Sequence, residues 1–157
     1  MTTFDARPQA PSGARPPGWL SAILLDGRPT PCDAVFPLAE LGQMEPACVA
    51  SARRFVDRTL TGWGADGVAF EAQLVVSELV TNAMRHGGGV VQLRLLGHGP
   101  ELACVVTDHS QAPPMTASPD IFAEFGRGLR LVEALSTTWG WIIAGTRDKL
   151  VWAVLAA

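Results

Sequence analysis

Apolar positions along this chain change their period several times, and the changes mark its elements. Over residues 45–60, Ala47, Ala50, Phe55, Val56 and Leu60 are available for the buried side of a helix, and Gly62 and Gly64 follow as stop signals. Asp66 is placed to cap a second helix running to about His86, where Gly87-Gly88-Gly89 ends it. Val76, Val80 and Ala83 give that helix an apolar stripe suited to packing on a sheet. Glu78 and Asn82 stand four apart on its other face, and Arg85 and His86 continue their stripe. Residues 34–40 predict a short first strand. Residues 90–96 and 102–107, rich in aliphatic side chains, predict a hairpin turning at Gly97-His98-Gly99-Pro100. A proline-rich loop with Pro113, Pro114 and Pro119 follows, then a helix over 128–136 and a closing hairpin of 139–144 and 150–155. This order of elements, with no internal repeat, predicts an α+β fold. Its form is a two-layer α/β sandwich with helices on one face of a mixed, mainly antiparallel sheet.

The first 32 residues break this pattern. Pro8, Pro11, Pro16, Pro17, Pro29 and Pro31 remove backbone donors and fix φ, so the segment 1–32 reads as a flexible tail ahead of a domain at 33–157. A short apolar patch, residues 19–25, is expected to pack loosely on that domain rather than to dock a partner.

Composition narrows the class of function. The 157 residues suffice for one domain with a core, and 48% hydrophobic against 17% charged content is globular. A formal net charge of −3 leaves no basic footprint for nucleic acid. No apolar run reaches the length of a membrane span, and the first residues lack the basic and apolar regions of a signal peptide. Cys32, Cys48 and Cys104 are too scattered for a metal motif or a disulfide framework. A cytoplasmic protein without direct nucleic-acid or membrane contacts is the expectation. Arg53, Arg54 and Arg58 cluster on the first long helix, either as a solvated face or as a meeting point for an acidic surface.

Three features carry candidate chemistry: the Glu78/Asn82/His86 helix, Asp108 at the end of an apolar strand, and Gly126-Arg127-Gly128-Leu129 opening a helix. An aspartate at a strand end can accept a hydrogen bond from the amino group of adenine and reject guanine, which presents a carbonyl there. Glycines ahead of a helix let backbone N–H groups approach phosphate. An asparagine oxygen is a hard neutral ligand for Mg2+, and a glutamate one turn earlier can take a proton from an attacking hydroxyl or water.

Residues 78–86 (Glu-Leu-Val-Thr-Asn-Ala-Met-Arg-His), Asp108 and Gly126-Arg127-Gly128-Leu129 resemble, in order, the N box and the two glycine boxes of the histidine-kinase-like (GHKL) ATPases. The chain is most similar to bacterial anti-sigma-factor serine/threonine kinases and stand-alone actinobacterial ATP-binding regulators, over about residue 33 to the end. The resemblance implies a Bergerat-type fold, with ATP and Mg2+ as cofactors. It implies Glu78 as general base, Asn82 as the Mg2+ ligand and Asp108 as the adenine acceptor. Gly126 and Gly128, with Arg127 and Leu129, are implied to shape the far end of a lid beside the phosphates, and Arg85 and His86 to contact phosphate. It further implies a homodimer whose partners are a sigma factor and an anti-sigma-factor antagonist, phosphorylated on serine or threonine. One departure stands out. Glycines generally follow the aspartate in the family, whereas this chain reads Asp108-His109-Ser110-Gln111-Ala112-Pro113-Pro114. Against the kinase stands a module in which nucleotide only biases a partner-binding surface; a third reading is a domain that has lost ATP.

Overall fold

The computed structural model describes residues 15–37, 45–110, 123–145 and 148–157. Its elements in chain order are helix α1 (Gly18–Leu24), strand β1 (Cys32–Phe36), helix α2 (Glu45–Gly62), a 3-10 turn (Asp66–Val68), helix α3 (Ala69–His86), strands β2 (Val90–His98) and β3 (Glu101–Asp108), helix α4 (Ala123–Leu135), and strands β4 (Thr138–Ala144) and β5 (Asp148–Ala156). The strands form one sheet in the order β1-β2-β3-β5-β4, and every pairing is antiparallel. The α+β fold expected from the sequence forms, with α2, α3 and α4 on one face of the sheet. Contrary to expectation, α1 lies on the other face, and the sheet is antiparallel rather than mixed among the described residues.

Strand periodicity explains the layers. Leu93 and Leu95 of β2, Leu102, Cys104 and Val106 of β3, and Val151, Ala153 and Leu155 of β5 alternate onto the inner face. There they meet Cys48, Ala52, Val56 and Leu60 of α2, Ala72, Val75, Val76, Leu79, Val80 and Ala83 of α3, and Leu129 and Val132 of α4. Fully burying each Leu or Val among them contributes roughly 1.5–3 kcal/mol. Helix α3 is the middle helix, packed on both α2 and α4 and lying over β3. That placement sets its C-terminus against the end of the central strand.

Several local expectations are corrected. Asp66 does not cap α3; it begins the 3-10 turn, which leads directly into the helix, and neither element has a side-chain cap bond. Gly97 and His98 belong to β2, so the first hairpin turns only at Gly99-Pro100. Asp148 and Lys149 likewise belong to β5 rather than to a turn. Helix α4 begins at Ala123, ahead of the glycines expected to precede it. The predicted first strand extends into 38–40, and the expected proline-rich loop carries Pro113, Pro114 and Pro119; these residues lie outside the described ones.

The largest difference is at the N-terminal side. Proline content predicts no helix before residue 32, yet α1 forms directly after Pro16 and Pro17, positions where a missing N–H costs a helix nothing. Leu20 (0% exposed) and Ile23 (6%) insert into a second apolar cluster on the outer face of the sheet, with Leu96, Ala103, Val105, Trp152 and Val154. Trp19 stacks on His98 at 4.7 Å and donates its indole N–H to Glu101 at 2.7 Å. At the sheet edge, Arg94 donates twice to Asp33, at 2.9 and 2.7 Å, tying β1 to β2. Cys48 and Cys104 are buried and Cys32 is half-buried, and none of the three forms a disulfide among the described residues. No helix among the described residues is long and apolar enough to cross a membrane.

Candidate functional site

The site begins where α3 stops. Gly87 N–H still donates to Ala83 O at 2.8 Å, and then Gly88 and Gly89 turn the chain away with φ of 74° and 110°. Strand β2 starts at once, and its first residue, Val90, pairs with Asp108, the last of β3. The register slips between Val90 and Gln92, a bulge of the kind that re-aims side chains at a sheet rim. On its other side Asp108 pairs with Lys149, near the start of β5.

Both side chains point to the inner face, in phase with Val106 and Val151. Each is only 1% exposed, and Lys149 Nζ lies 3.4 Å from Asp108 Oδ2, forming a buried ion pair. Asp108 Oδ1 accepts the Ser110 N–H at 3.0 Å. Oδ2 has no aligned hydrogen-bond donor among the described residues. A Cβ on Gly87 would stand 2.6 Å from both Asp108 Cγ and Oδ2, so the helix end and the carboxylate touch only because that position carries no side chain.

Electrostatics follow from this enclosure. Burial pushes the Asp108 carboxyl above the usual range, opposed by Lys149, the Ser110 N–H and His109. Burial lowers Lys149, opposed by Asp108. His86, at the end of α3, is lowered by burial first and then by the cations Arg85 and Lys149. His109 continues the rim: its N–H donates to Gly89 O at 3.3 Å, and its ring Nδ1 lies 3.3 Å from Asp148 Oδ1.

Asn82, 8% exposed, is one of few buried polar side chains among the described residues. Glu78 stands one turn earlier on the same flank, half-buried, and Arg85 one turn later, exposed. The structure thus puts Glu78, Asn82, Arg85, His86 and Asp108 on one helix and the strand end beneath it. Gly126, Arg127 and Gly128 fall in the first two turns of α4, with side chains outside the described residues. Because only the first four N–H groups of a helix lack an internal partner, Gly126 retains a donor for an anion and Gly128 falls within the intrahelical ladder. Leu129 is 3% exposed and belongs to the core under α4.

Two contributors escape the sequence motifs. Lys149 opens an apolar strand and reads as the exposed foot of a turn; only alternation with Val151 and Ala153 signals that it faces inward. Gly87 reads as a helix stop, and nothing local shows the carboxylate beside it. The arginine cluster lies elsewhere. Arg53 lines a groove of about 600 Å3 with Pro46, Val49, Ala50 and Thr81. Thr81 lies on α3 three residues after Glu78 and four before Arg85, so this groove borders their stripe from the α2 side. Arg54 donates to Ser51 at 3.1 Å, and Arg58 is exposed.

Among the described residues no group of three or more His, Cys, Asp or Glu side chains is placed to hold a metal by itself. A neutral oxygen such as that of Asn82 suits Mg2+ that is carried mainly by phosphates and water. No curated protein matches the chain. Among solved structures it is similar to the Acinetobacter baumannii histidine kinase AdeS, at 11% identity and a TM-score of 0.40, over 86% of this chain and 72% of that one. The family model of the histidine kinase-like ATPase domain matches residues 43–153, most of the chain and every site residue above. The chain belongs to the histidine kinase-like ATPase domain family.

Proposed function

We propose that this protein is an ATP-binding regulator in which Asp108 accepts the amino group of adenine. Membership of the family supports an ATP-binding regulatory function. The observation that carries the reading is the state of Asp108: a sealed carboxylate at the end of the central strand, whose Oδ2 lacks an aligned donor among the described residues. A ligand amino group would give this buried oxygen an aligned hydrogen bond beside its ion pair with Lys149, worth about 1.5–3 kcal/mol for a charged acceptor. Asn82 would hold Mg2+ on the phosphates, which would supply charge neutralisation there. Arg85 and His86 border the phosphates, and the α4 N-terminus at Gly126 offers them backbone donors.

In its finer form, the protein is an anti-sigma factor and serine/threonine kinase that phosphorylates an anti-sigma-factor antagonist, working as a homodimer. Glu78, one turn from Asn82, then takes the proton of the attacking hydroxyl. A second reading, a binding module without phosphotransfer, is favoured by one observation: Ser110 and Lys149 already engage the Asp108 carboxylate from within. In that case nucleotide shifts a population instead of reacting.

Calorimetry with Mg-ATP and Mg-GTP tests the common part. Binding of ATP but not GTP, lost in Asp108→Ala, supports the reading; no binding by folded wild-type protein overturns it. Transfer of labelled phosphate to candidate antagonists, abolished in Glu78→Ala, separates kinase from module.

A further inference from the structure

We propose that Lys149 is the positioning residue that sets base specificity: its ammonium, held against Oδ2 of Asp108, keeps that carboxylate a hydrogen-bond acceptor and so selects a 6-amino purine over a 6-oxo purine. The inference rests on the reading of Asp108 as the base acceptor, and it goes further by assigning the choice of base to a residue on a neighbouring strand.

A carboxyl group changes what it offers a ligand with its charge. Ionised, it presents acceptors only; protonated, it presents one donor as well. The 6-amino group of adenine needs an acceptor, while the 6-oxo group of hypoxanthine or guanine needs a donor. At this position the charge state of Asp108 therefore decides which purine fits.

Enclosure alone favours the neutral acid, since burial raises the carboxyl. Each neighbouring element must be asked what opposes that. Strand β5 brings Lys149 in direct contact and Asp148, which lies beside the exposed His109 ring. Helix α3 brings Arg85, which is exposed, and His86, whose imidazole burial and neighbouring cations hold toward the neutral form. From the loop after β3, the Ser110 N–H bonds Oδ1. Among the described residues Lys149 is the one cation that is itself buried. The β3–β5 register places it directly opposite Asp108, on the same face. With its side chain only 2% exposed, Lys149 balances that charge at a position where an apolar side chain would serve the core better.

The test is calorimetry of the full chain with Mg-ATP and Mg-ITP, which share their ribose and phosphates and differ at the 6 position and in the hydrogen that the 6-oxo base carries on N1. Wild-type protein should favour ATP by about tenfold or more, the worth of one hydrogen bond to a charged group. Lys149→Met should bring the ATP:ITP ratio near one at neutral pH, and the preference should return as pH rises and Asp108 ionises. In an Asp108→Asn background, Lys149→Met should leave the ratio unchanged, because there is no charge left to hold. A wild-type ratio in Lys149→Met at every pH overturns the proposal, as does an equal loss of ATP preference in both backgrounds. Should Lys149→Met not fold, the comparison of Asp108→Asn with the double variant, which buries no charge, decides alone: equal ratios support the proposal and unequal ratios overturn it. Folded wild-type protein that binds neither nucleotide overturns the ATP reading itself, whereas ATP binding insensitive to Lys149 overturns only this inference.

Discussion

Gly87 and Asp108 are in contact through space that no side chain at residue 87 could share: an added methyl would lie 2.6 Å from the carboxylate and 2.8 Å from Ala83 O. Two elements meet there, the last turn of α3 and the end of the central strand. Neither neighbour can yield cheaply, as one is helix backbone and the other a buried charged group paired to Lys149.

Gly87→Ala should therefore lower stability by about 1–3 kcal/mol, as overpacking does. It should also weaken ATP binding by displacing Asp108. Urea unfolding and calorimetry check both parts. A variant with unchanged stability and affinity would show that the helix end and Asp108 move apart freely.

Leu20 is fully buried in the outer-face cluster although it sits in a short helix beside prolines. Leu20→Ala should cost about 2–5 kcal/mol, the range for truncating a core leucine. Chemical denaturation measures it. A loss below a few tenths of that range would mean that α1 is dispensable to the sheet it covers.

His86 gives the fold a pH dependence of defined sign. Its folded value lies below the ordinary 6.5, through burial, Arg85 and Lys149. The unfolded chain thus takes up the proton first, and protonation favours unfolding. The stability that His86 contributes is complete above its unfolded value and is lost as pH falls through the folded one. Unfolding midpoints should drop on acidification through this window, and less so in His86→Gln. Identical slopes for the two proteins would remove His86 as the source.

Much of this was legible from residue order. The stripes of Val76, Val80 and Ala83 against Glu78 and Asn82 located α3, because helical spacing within a single segment is local information. The strands around Leu93 and Val106 declared themselves in the same way. Asp108 was legible as a strand end in order with the other boxes. What stayed hidden depends on pairing between distant segments. Lys149 acquires its meaning only from the β3–β5 register, and Gly87 only from the carboxylate at the end of β3 beside it. Helix α1 was masked by a compositional rule: proline forbids a helix interior but not the position just before one, and tertiary burial of Leu20 and Ile23 did the rest.

The outer cover of the sheet has a consequence for association. Helix α1 ends at Leu24 and β1 begins at Cys32, so residues 25–31 tether the cover to the face it occupies. A tether this short holds its own ligand at an effective concentration of about millimolar. Any outside molecule seeking Trp152, Val105 and Val154, a second copy of the chain included, must outcompete a ligand that never diffuses away.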